Sequence, residues 1–257
     1  MENPETIKFN NIPEESINKI TEILDEIKLS QKSNEVNPQK IFELYYYIKE
    51  IKDKNYSGAS QISDLFTSNF IYLLRSLLLQ ERGIRLIILK ILRNNIQIYP
   101  PFTQKLIDSL FPIAICKVME LSKISTFEER YECIRLLNVW LKYSDINFPL
   151  IFCQAVAAMS LADNLFKKGC IDFLRNLGII RPDLCSSVGG FRILINCLLD
   201  EKYEDIFQNI FNSLLYIINS PKKENILMDL TICIKYFLFL QKVIFAWMYK
   251  AQIKIII

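Results

Sequence analysis

The chain has 257 residues, 51% of them hydrophobic and 23% charged, and a formal net charge of +3. That supports one sizeable core or two small ones and excludes disordered and collagen-like classes. There is no histidine, which removes Ser-His-Asp triads, Cys-His pairs, His-ligated zinc and haem, and the usual general base near neutral pH.

In chain order, Ile17, Ile20, Leu24 and Ile27, spaced three and four apart behind Glu14 and Glu15, predict a first helix. The polar stretch 30–38 ends it. A second helix is expected over 39–52, with Ile41, Leu44, Tyr45, Ile48 and Ile51 on its buried side; Asn55-Tyr56-Ser57-Gly58 closes it. Of the rings Tyr45, Tyr46 and Tyr47, helical geometry turns two inward and leaves one exposed. Further helices are expected near 61–79, 82–98, 103–122, 127–143, 148–160, 162–178, 190–200 and 203–219. Prolines at 100, 101, 149, 182 and 221 punctuate them. No stretch alternates with period two, so strands are not expected.

The long helices share one shape. Arg85 precedes Leu89 and Leu92, Arg130 precedes Ile134 and Leu137, and Lys167 precedes Ile171 and Leu174; a fourth copy keeps Ile206 and Ile210 but has Ser213. The register positions 89, 134, 171 and 210 are 45, 37 and 39 residues apart, near the roughly 40–47-residue period of HEAT and armadillo units. The expected fold class is therefore all-α, an armadillo/HEAT-like α-solenoid, with an irregular helical globule as the competing arrangement. A two- or three-helix unit cannot bury both apolar faces alone and must stack on a neighbour.

Chemistry is sparse. The six glycines form neither G-x-x-x-x-G-K-[ST] nor G-x-G-x-x-G, and Glu128-Glu129 and Asp200-Glu201 read as helix-start charges, not paired acid and base. No catalytic residue, metal site or cofactor is expected. Cations and anions alternate, so nucleic acid is not an expected partner. The seven cysteines never form C-x-x-C and sit in apolar runs, as small core hydrophobes of a reducing compartment. The polar start lacks a signal-peptide pattern, making cytoplasm the expected location. Residues 230–249 are apolar but carry Lys235 and Lys242, which argues against a stable membrane span. Candidate partner-docking positions are Arg85, Lys90 and Arg93 in the first repeat, Arg135 and Lys142 in the second, and Lys167, Lys168 and Arg175 in the third. Cations spaced by a repeat suit an acidic or extended peptide. Solvated faces are the plain alternative, and Arg85 and Arg130 have another role open to them, bridging to carboxylates of a neighbouring repeat.

Five segments in order carry a family resemblance: Ile84-Arg85 with Leu89-Lys90-Ile91-Leu92-Arg93; Glu129-Arg130 with Cys133-Ile134-Arg135-Leu136-Leu137; Phe148-Pro149 with Ala155-Val156-Ala157-Ala158-Met159; Arg181-Pro182-Asp183 through Gly189-Gly190-Phe191 to Leu198-Leu199-Asp200; and Asn219-Ser220-Pro221-Lys222. Over roughly 16–227 the chain resembles the amino-terminal armadillo-type domain of the Rictor/Pianissimo family of TOR complex 2. Glu224 departs from the family's tendency to arginine. The resemblance implies a non-catalytic scaffold that brings together the TOR kinase, the stress-activated-kinase-interacting subunit and AGC-family kinase substrates, with roles in actin organisation, chemotaxis or survival signalling. A solenoid adaptor of the transport or vesicle-coat type is the alternative.

The expected organisation is a one-helix segment (1–37), helical repeats (38–227) and an apolar tail (228–257) unlike the family. Family members are far longer, and the tail is expected to be a truncation or gene-model artefact; an uninterrupted mature transcript across Leu227 would refute that.

Overall fold

The computed structural model describes residues 11–32, 36–56, 59–120, 125–143, 147–163, 165–198, 204–219 and Lys242. Expectations for residues 1–10 and for the tail, Lys242 apart, lie outside them. Among the described residues the chain is helical throughout, with no strand.

Local chemistry sets the helix ends. α1 (Glu14–Lys32) begins with two acids, where the positive end of the helix dipole favours them. α2 (Pro38–Lys54) starts at Asn37, whose side chain accepts the Gln39 N–H at 3.0 Å, with Pro38 in the first turn. It stops where Asn55 turns left-handed, φ 49°.

Two expected helices are each divided. The stretch 61–79 forms α3 (Ala59–Leu65) and α4 (Ser68–Gln80), because Thr67 is extended and its hydroxyl accepts the Phe70 N–H at 3.4 Å, starting a new helix. The stretch 103–122 forms α6 (Phe102–Asp108) and α7 (Phe111–Glu120), separated by Leu110 at φ 56°. Pro112 explains the break: within a continuous helix its ring would collide with the carbonyl of residue 108. α5 (Arg82–Ile98) and α8 (Phe127–Tyr143) have their expected bounds. α9 (Leu150–Ala162) is followed by α10 (Lys167–Ile180), which starts later than expected because Asp163 turns the chain first. After α11 (Pro182–Ser187), Gly189 takes φ 69° and lets α12 (Gly190–Leu198) begin; α13 (Glu204–Asn219) is the last described helix.

The helices stack in two layers. One runs α2, α5, α8, α10, α13, each packed on the next; the other runs α4, α7, α9, with α12 beside α9. Within a repeat the layers pair as α4 with α5, α7 with α8, α9 with α10 and α12 with α13. α3, α6 and α11 are connectors, and α1 packs on α2. This is the stacking expected of helical repeats, each leaning on its neighbours. The register residues Leu89, Ile134, Ile171 and Ile210 are all buried. Aromatic rings fill the gap between layers: Trp140 of α8 meets Phe152 of α9 edge-on at 5.2 Å, and Phe148 packs on Phe152 and Phe173.

Candidate protein-docking face

Arg85 and Arg130 stand in the first turns of α5 and α8, where a cation opposes the helix dipole. Their partners explain the placement. Arg85 Nε donates to the Leu78 carbonyl at 2.8 Å and Nη2 to that of Leu79 at 3.3 Å, closing the end of α4; Nη1 lies 3.5 Å from Glu129 of the next repeat. Arg130 repeats the pattern: Nε donates to the Met119 carbonyl at 2.9 Å, Nη2 lies 2.8 Å from Asp163, and the guanidinium covers the Phe166 ring at 4.5 Å.

Glu129 also begins a helix, and Asp163 ends α9 and turns the chain towards α10. Glu129 accepts the Thr126 N–H at 2.7 Å while the Thr126 hydroxyl accepts the Glu129 N–H at 3.2 Å, a reciprocal capping box. Asp163 accepts the N–H groups of Leu165 and Phe166 at 3.0 and 3.2 Å. Each arginine therefore ties the end of one helix to the following repeat, Arg85 to the start of α8 and Arg130 to the turn between α9 and α10. The hydrogen bond from Arg130 holds the Asp163 carboxyl below its ordinary range against an opposing effect of burial.

Arg85 is thus removed from the docking positions. Only 2% exposed, it is committed to internal bonds because an unpaired guanidinium in the core would be costly. The bridging role is the one that Arg85 and Arg130 take. Thr126 and Asp163 were not among the candidate residues; the T-x-x-E pattern at 126–129 is the sequence signal for the first, and Asp163 had none, since its partner lies 33 residues back.

The remaining candidates lie on the three adjacent helices α5, α8 and α10. Lys90 reaches over the Tyr45 ring of α2 at 5.9 Å. Arg93 Nε lies 2.7 Å from Glu132 of α8, a carboxylate only 1% exposed, and Arg135 Nη1 reaches the other oxygen of the same group at 3.4 Å. Arg135 also covers the Tyr131 ring at 4.9 Å. On α10, Asn176 donates to Asn138 of α8 at 2.8 Å, and the neighbouring Arg175 lies 3.8 Å from Asp172, whose carboxyl burial pushes up. The structure accordingly brings Arg93 and Arg135 together over Glu132, and Arg175 stands next to the α8–α10 contact made by Asn138 and Asn176. Lys142 is exposed beside Tyr143, Lys168 is exposed, and Lys167 is half-buried at the start of α10. In the tyrosine triplet Tyr46 is exposed, while Tyr45 and Tyr47 pack on the core.

Among the described residues no cluster of three metal-ligating side chains occurs, and no helix is long and apolar enough to cross a membrane. The six described cysteines are buried; burial pushes the thiols of Cys116, Cys153 and Cys170 up to about 12.

Stacked helix pairs with a polar, arginine-bearing face define a helical-repeat protein. Residues 54–237 match the family described as Rapamycin-insensitive companion of mTOR, N-term, and the chain belongs to that family. The match covers most of the chain; it begins later than the expected span of 16–227 and runs to 237, beyond its end. No curated protein and no solved structure matches the chain.

Proposed function

We propose that this chain acts in TOR complex 2 as a non-catalytic scaffold segment, with the face formed by α5, α8 and α10 holding partner proteins. Its partners on this reading are the TOR kinase and the stress-activated-kinase-interacting subunit, in the cytoplasm or at membranes reached through the complex. The observation that carries the reading is the family match over residues 54–237. One feature supports it: a helical stack offers an extended binding surface. Family membership favours this reading over an unrelated transport or vesicle-coat adaptor.

The experiment is co-precipitation of the tagged 257-residue chain from cell lysate, with blotting for both partners. Recovery of both is the expected result. Recovery of neither by a chain whose circular dichroism is helical overturns the proposal.

A further inference from the structure

Resting on the docking role proposed above, we infer that Arg93, Arg135 and Arg175 form a row that reads carboxylates on an extended acidic peptide with Asp or Glu at every third position. The spacing follows from the packing. Adjacent packed helices lie roughly 8–10 Å apart, and three residues of a polyproline-II chain complete one turn and span about 9 Å, so acids at every third position share one side and each meets one helix.

The arginines are held in advance. Glu132 sits beneath the face and pins two of them, while the Tyr131 ring supports Arg135 from below. Arg135 is the most open of the three, with 55% of its side chain exposed against 25% for Arg93 and 24% for Arg175. Guanidinium groups present planar forks that match carboxylates, and fixing them before binding lowers the ordering cost.

Charge favours an anionic peptide. Two carboxylates, Glu132 and Asp172, lie among three guanidinium groups, and Lys90 and Lys168 extend the positive field on either side. A nucleic acid is the less suitable ligand, since a net charge of +3 is far below the usual electrostatic footprint.

The test is fluorescence anisotropy at low ionic strength, using the full chain and a labelled peptide Glu-Gly-Ser-Glu-Gly-Ser-Glu. A peptide of the same composition with its three acids adjacent is the comparison. The spaced peptide is expected to bind about fivefold tighter, and Arg135→Gln and Arg175→Gln each to weaken it about tenfold with circular dichroism unchanged. Arg135→Lys, which keeps charge but not the fork, restores only part. Arg93 is left in place because removing it strips countercharge from buried Glu132.

Equal affinity for the two peptides, unchanged binding by the variants, no binding by the folded chain, or tighter binding of a single-stranded oligonucleotide of matching charge overturns the inference. Co-precipitation of both partner proteins by the R135Q/R175Q chain, measured alongside, shows whether the scaffold reading stands when the row fails.

Discussion

Arg85 and Glu129 meet at 3.5 Å across the boundary between two repeats, although 44 residues separate them in sequence. Both are buried, and each has a second task within its own repeat: Arg85 closes the end of α4, and Glu129 caps the start of α8. Removing one member of a buried pair costs about 3–5 kcal/mol because the other is left uncompensated. Arg85→Met is expected to fall in that range, read from chemical denaturation. Glu129→Gln keeps the capping acceptor but leaves the buried Arg85 guanidinium without its countercharge, and is expected to fall in the same range of about 3–5 kcal/mol. The double variant should cost less than the two singles together, since the residues share one interaction; strict additivity would show that the pair is not coupled.

The second bridge gives a pH dependence. The Asp163 carboxyl is depressed, chiefly by its hydrogen bond from Arg130. Its stabilising contribution is therefore complete above the unfolded value of about 3.9 and disappears as pH falls through the lower folded value. Arg130→Gln is expected to lie below the wild type in melting temperature at neutral pH, with the gap narrowing as pH is taken below about 4. A gap constant from neutral to acid pH would sink the assignment.

The Gly-Gly turn ahead of α12 makes unequal demands on its two residues. A Cβ at Gly190 would approach Cys185 Sγ to 2.6 Å and the Cys185 carbonyl to 3.0 Å, whereas Gly189 has open space but φ 69°. Gly190→Ala is expected to destabilise by about 1–3 kcal/mol through overpacking, and Gly189→Ala by about 1–2 kcal/mol through backbone strain. Gly83, in the first turn of α5, meets nothing within 4 Å. Alanine there should stabilise by about 0.5 kcal/mol, and thermal melts of the three variants give the order.

Leu110 occupies the left-handed region at φ 56° and is 55% exposed. Strain of about 1–2 kcal/mol outweighs the entropy that glycine loses on folding, about 0.5–1 kcal/mol. Leu110→Gly is thus expected to raise stability by up to about 1 kcal/mol. A loss of stability would mean that the side chain contributes packing despite its exposure.

Residues 126–143 and 150–162 show how much was legible in the sequence. The apolar period of α8, the acids at its start and the small residues of α9 fix local structure, because helix formation and capping act within a few residues. The breaks at Thr67 and Leu110 were less legible. Apolar periodicity runs through both, and the cap and the proline constraint that divide the helices act over only three or four residues.

The candidate face was legible as a set of cations and no further. Spacing by repeats placed Arg85 beside Arg93 and Arg135 as equals, yet one is buried in a bridge and two lie over a shared carboxylate. Sequence by itself determined the helices, their pairing into repeats and the family, since these rest on local periodicity and motif order. Tertiary structure alone decided which charges face each other across repeats. An ion pair across repeats depends on the distance between side chains brought together by stacking; Glu132 carries a local mark of Arg135, three residues on, but none of Arg93, and Asp163 carries none of Arg130.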